Sequence, residues 1–255
     1  MEDAVVESGG KHRTVEAGRG TAWWTQSWAL FVKNPGMWLV FGVIFFVGFA
    51  VLGFIPVIGG LVAAVLSQVI LGGWMLAARK LDTGGTLEVG DLFSGFKEKL
   101  NPLLTLGAVA VGASIVTFLV MAVMGGGAVM GMMLGGASRS AGGLMASAAL
   151  GMIAMLVGLA LAFVFAMAFW FAPALVVFRD TPAIDALKAS WSATLANFVP
   201  FLVYSVIWLV AAIVASIPFA LGWLVLTPLT VLGIYCAYKD IFEGMVSLET
   251  PGLSE

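Results

Sequence analysis

The stretch that decides the fold is SWALFVKNPGMWLVFGVIFFVGFAVLGFIPVIGG, Ser27 to Gly60. A short segment rich in aromatic rings stops at Asn34-Pro35, and residues 36–54 then run without a single charge to an Ile-Pro turn. Crossing about 30 Å of hydrocarbon takes about 20 predominantly apolar residues in an α-helix, so this run reads as a membrane span. A residue before proline is pushed out of the helical region, whereas proline itself suits a first helical turn. Ser27, Trp28, Asn34 and Pro35 therefore read as an elbow. A helix lies along the membrane surface, the chain breaks, and a second helix descends.

The phrase recurs twice, in SGFKEKLNP (Ser94–Pro102) and in SWSATLANFVP (Ser190–Pro200). The second elbow is marked by Phe96, Asn101 and Pro102, the third by Ser190, Trp191 and Asn197. Before the third, Thr181 can cap a helix with Pro182 in its first turn. Ile184, Leu187, Trp191, Leu195 and Phe198 then recur at three- and four-residue spacing. That stripe suits a helix lying in the headgroup plane, and the indole rings suit the same layer because their bodies are apolar and their N–H is polar.

Outward from the elbows, six apolar runs emerge, at about 36–54, 57–78, 102–124, 144–172, 198–217 and 221–238. Of the 255 residues 61% are hydrophobic and 10% charged, and the mean hydropathy is +1.07. A soluble domain averages about 25% charged residues, and one of this size could not hide so much apolar surface. The expectation is an all-α integral membrane protein of six transmembrane helices. These group as three hairpin repeats, each led by an interfacial amphipathic helix and closed by a base and an acid: Arg79 and Asp82, Arg179 and Asp180, Lys239 and Asp240. Residues 1–20 read as a disordered cytoplasmic tail rather than a signal peptide, residues 21–243 as one membrane domain, and 244–255 as a C-terminal cytoplasmic tail.

Charge gives an orientation. Eleven of the twelve Lys and Arg lie before the first apolar run, in the connections beginning near residues 79 and 179, or at the C-terminal end; the other is Arg139. The positive-inside bias then places both termini in the cytoplasm. A net charge of −2 gives no sign of a nucleic-acid partner.

The segment WFAPALVVFRDTPAIDALKASWSATLANFVPFLVY, Trp170 to Tyr204, resembles a group of poorly characterised bacterial six-helix membrane proteins. The group includes the YciC-type inner-membrane proteins and the membrane region preceding some glycerophosphodiester phosphodiesterases. The resemblance rests on Phe171 to Val176, Ala186-Leu187 and Ser190-Trp191. It implies a six-helix fold and a bacterial inner-membrane address, and it carries over no catalytic residue.

Chemistry is sparse. Intramembrane charges usually mark an ion or proton pathway, and none falls within the six runs. Cys236 and His12 are each single. The repeat-end aspartates are expected to pair with Arg79, Arg179 and Lys239, and no metal or other cofactor is expected. A polar path for a small neutral solute would draw on Gln68, Ser114, Thr117, Ser205 and Thr227, unless those hydroxyls bond to their own helices. Gly127, Gly131 and Gly135 are spaced by four, as at close helix contacts. They sit in a Met-rich stretch that could be a loop, a re-entrant segment or a helix extension, since one helix over 102–135 would be about 50 Å long. The resulting expectation is a non-enzymatic scaffold, assembly or lipid-organising protein. Its partners are the bilayer and either another membrane protein or a second copy; the alternative is a transporter or channel for a small neutral or amphipathic solute.

Overall fold

The computed structural model describes residues 12–137 and 141–244. Among them there is no strand. The order is α1 (Arg19–Phe31), α2 (Pro35–Gly53), α3 (Ile58–Asp82), a 3-10 turn (Val89–Phe93) continuing into α4 (Ser94–Glu98), α5 (Leu100–Ala137), α6 (Ala141–Trp170), α7 (Ala172–Arg179), α8 (Ala183–Ala196), α9 (Phe198–Ser216), α10 (Trp223–Tyr238) and a π-turn (Lys239–Glu243). Six segments are long and apolar enough to cross a membrane: α2, α3, α5, α6 with α7, α9, and α10 with the π-turn. The chain is an all-α polytopic membrane protein.

A short helix precedes each long pair, but the short helices pack chiefly on other helices than the pairs they lead into. Helix α1 lies against α9 and α10, the 3-10 turn and α4 lie against α3, and α8 lies against α6 and α7. Each elbow thus grips the pair before it, and α1, the first in sequence, grips the last pair and closes the ring. Backbones meet closely at these grips. A Cβ on Gly73 of α3 would collide with the Leu92 carbonyl, one on Gly95 of α4 with that of Val69, and one on Gly20 of α1 with that of Pro200. Only a glycine leaves room there, which is how helices gain contact where lipid removes the hydrophobic drive between them.

The two central helices are α3 and α10, and α10 touches α1, α2, α3 and α9. An aromatic layer surrounds them. Trp38, Phe41 and Trp74 are fully buried, with Trp38 edge-on to Phe41 at 5.5 Å between centroids. Trp23 and Trp24 bring α1 onto Phe201 and Tyr204 of α9. In the other direction, α5 and α6 pack chiefly on each other.

Several details differ from the sequence reading. Of the tail expected to be disordered over 1–20, residues 12–18 carry specific hydrogen bonds and α1 starts at Arg19, while residues 1–11, like 245–255 of the expected C-terminal tail, lie outside the described residues. Thr181 does not cap α8; Pro182 is the N-cap and has no side-chain bond to offer. The second elbow breaks at Lys99 rather than at Asn101-Pro102, because α5 already starts at Leu100 and takes Pro102 into its first turn. The stretch 125–143, open between loop, re-entrant segment and helix extension, is helical over 125–137 and from 141 on, with 138–140 outside the described residues. Residues 125–137 continue α5, a helix of 38 residues that is about 57 Å long at 1.5 Å per residue.

Candidate functional site

Two features stand out: a network of charged side chains that ties residues 13–15 and α1 to the end of α8 and the π-turn, and the α5–α6 hairpin. The network centres on Asp240, which is 1% exposed. Its Oδ1 accepts from Arg13 at 2.7 Å, and its Oδ2 accepts from Arg19 Nε at 2.5 Å and from Trp23 Nε1 at 3.0 Å. Arg13 Nε also donates to the Asp240 carbonyl at 2.5 Å, and the Arg13 backbone N–H to the Ile241 carbonyl at 2.9 Å. A buried carboxylate is tolerable only with its lone pairs satisfied in this way.

Asn197 completes the anchoring. Its Oδ1 accepts from the Val15 backbone N–H at 2.8 Å, and its Nδ2 donates to the carbonyls of Arg13 at 3.0 Å and Ala193 at 2.9 Å. Residues 13–15 are therefore a strap held between α8 and the π-turn. The strap, Arg13 and the Asp240 hub were missed by sequence reasoning. The available signal was two arginines six residues apart, ahead of an indole and far from any acid in sequence.

The repeat-end charges do pair, in links that run between elements. Lys239 joins Asp82 at 2.5 Å, and Asp82 also accepts from Tyr235 Oη at 2.9 Å. Arg79 joins Glu243, Lys99 joins Asp180, and Arg179 donates to the Phe242 carbonyl. Lys80 adds Asp91 at 3.0 Å. Among the described residues no three His, Cys, Asp or Glu side chains converge as metal ligands.

The elbow residues take separate roles. Asn34 Oδ1 caps α2 by accepting from Met37 N–H at 3.3 Å, with Pro35 in the first turn. Ser27 is buried and donates back to the Trp23 carbonyl, while Trp28 is half exposed. Phe96 is half-buried and Asn101 exposed. Ser190 does the most specific work. Its Oγ accepts from Phe171 N–H at 2.9 Å and donates to the Met167 carbonyl at 2.8 Å. Those two groups would bond each other in an unbroken helix, so the hydroxyl stands in the ladder and produces the break between α6 and α7. Trp191 is half-buried beside it.

The polar-path residues are not brought together. Ser114 donates to the Ala110 carbonyl and Thr117 to that of Ala113, each within α5. Ser205 is exposed on α9, and Thr227 is half-buried on α10. Gln68 is buried in α3; its Nε2 reaches Ser67 Oγ at 3.4 Å, and its Oε1 has no hydrogen-bond partner.

The glycine row divides. A Cβ on Gly131 would lie 2.5 Å from Ser147 Oγ, so this glycine serves the α5–α6 contact, whereas a Cβ on Gly127 would meet nothing. The surroundings of Gly135 lie outside the described residues, as does Arg139. Around Gly127 the hairpin displays Val129, Met130, Met132, Met133 and Met145, all 59–75% exposed.

Six apolar spans, a ring of elbows and a charged network at one end define a multi-pass α-helical membrane protein. By sequence, the chain belongs to the family described as Domain of unknown function (DUF7847), which matches residues 29–251. It is also 28% identical to a probable inner membrane protein of Burkholderia thailandensis, over 93% of this chain and 94% of that protein. No solved structure matches it. These relationships agree with the resemblance read from Trp170–Tyr204, whose Phe171–Val177 core is wholly buried where α7 meets α3 and α8.

Proposed function

We propose that the protein is a non-enzymatic scaffold of the bacterial inner membrane, with the α5–α6 hairpin as its docking arm for another membrane protein. The charged end faces the cytoplasm, in keeping with the positive-inside bias and with the inner-membrane relative in Burkholderia. The observation that carries the reading is the length of the hairpin. At about 57 Å, α5 exceeds a hydrocarbon core of about 30 Å and even the about 40–45 Å that includes headgroups. Helices α2 and α9, with 19 residues each, reach only about 28 Å. The outer part of the hairpin thus extends beyond its neighbours with Met130, Met133 and Met145 exposed. Apolar patches of this kind mark contact surfaces, and adaptable methionines suit them.

The hydroxyls of Ser114, Thr117, Ser216 and Thr230 bond to their own helix backbones, which favours the scaffold over a solute path. The test is purification in native-membrane nanodiscs with mass spectrometry of everything retained. The scaffold reading expects one membrane protein at fixed stoichiometry, lost when Gly127→Leu adds bulk to the exposed face of α5. Recovery of the protein alone, together with solute flux through reconstituted liposomes, would transfer support to the transporter.

A further inference from the structure

A cleft of about 220 Å³ opens at the charged end between α1, the last turn of α3 and the end of α10. Ala29, Leu30 and Cys236 form an apolar wall, and Gln26, Lys33, Asp82, Tyr235 and Lys239 supply the polar groups. The charges do not balance. Asp82 is occupied by Lys239 and Tyr235, while Lys33 is exposed and makes no ion pair among the described residues. The mouth therefore carries two ammonium groups against one carboxylate.

We infer that this cleft binds the headgroup phosphate of an anionic phospholipid. Lys33 is the direct contact, Lys239 is shared between the phosphate and Asp82, and Ala29 and Leu30 lie along the glycerol and first methylenes. Position favours lipid over a soluble phosphate ester. Lys33 immediately precedes the Asn34-capped start of a membrane span, and half-exposed Val32 and Trp28 flank it, so the site sits where hydrocarbon meets water. A lysine at that boundary attracts anionic lipid, while the neutralised Asp82 no longer repels it. The mostly apolar wall would leave a small soluble anion without contact on one side. The assignment does not depend on what docks on the hairpin.

The test is native mass spectrometry of the full chain released from nanodiscs of phosphatidylglycerol and phosphatidylcholine in equal amounts. Phosphatidylglycerol is expected to be retained preferentially, and Lys33→Gln to reduce that retention about five-fold, the effect of one lysine at a membrane surface. Lys97→Gln, which removes an exposed lysine of α4 that does not line the cleft, should leave retention unchanged and reports on general surface charge. Glycerol 3-phosphate at millimolar concentration should not displace the lipid. Equal retention of the two lipids, equal losses in the two lysine variants, or displacement by glycerol 3-phosphate would each overturn the assignment. Thermal unfolding of Lys33→Gln with a midpoint equal to that of the unaltered chain shows that a lost lipid is not a lost fold.

Discussion

The α10 span and the α5–α6 hairpin are both apolar helices in one molecule, yet they live in different surroundings. The α10 span has a mean hydropathy of 1.3 and is 67% buried, whereas the third and fourth spans reach 2.4 and 2.6 and are each 11% buried. The least hydrophobic span is thus the most buried. In a soluble protein the order would be reversed. In lipid, hydrophobicity does not drive helices together, because the tails are as apolar as leucine. What gathers α10, α3 and α1 is close backbone approach, aromatic layers and the polar links of Asp240 and Asp82. High hydropathy marks surface left to the membrane or to a partner.

The largest effect that would break this comparison is expected at Asp240. Asp240→Asn removes the charge that two guanidinium groups share. A fully buried broken pair costs about 3–5 kcal/mol, and the loss here should be about 2–3 kcal/mol because Arg13 remains half in solvent. Unfolding in mixed detergent micelles measures it, and the strap around Arg13 should become cleavable by protease. Gly73→Val forces a side chain into the Leu92 carbonyl and should cost about 2 kcal/mol by overpacking, read by the same unfolding. Ser190→Ala leaves the Phe171 N–H and the Met167 carbonyl without the inserted hydroxyl. A loss of about 1–2 kcal/mol is expected, and Ser190→Thr should restore part of it. At the small end stands Gly127→Leu on the hairpin, where a Cβ meets nothing within 4 Å. It should change stability by no more than about 0.5 kcal/mol while abolishing retention of the partner. If Gly127→Leu destabilised the protein as much as Gly73→Val, the two regions would not differ as described.

The six spans were legible in the sequence because lipid demands apolar runs of fixed length, and Asn34-Pro35 was legible as a helix start because capping and proline chemistry are local. Pairing at the charged end was not. Lys239 reaches Asp82 across 157 residues and Arg13 reaches Asp240 across 227, and only the closed ring brings them together. The break at Ser190 was equally hidden, since a serine inserted into another helix's ladder leaves no periodicity of its own. The hairpin was read as too long for one bilayer. Its resolution as a helix extension follows from Gly131 packing on Ser147, a contact between helices that spacing alone leaves open.

The measurement that bears most directly on the central claim is site-specific photo-crosslinking in native membranes. The probe would be placed at Met130 and Met145 on the hairpin, and at Val47 and Ile213 on the exposed faces of α2 and α9. The scaffold account predicts a single discrete protein adduct from the two hairpin positions and only lipid adducts from the other two. Lipid adducts alone from all four positions would contradict it.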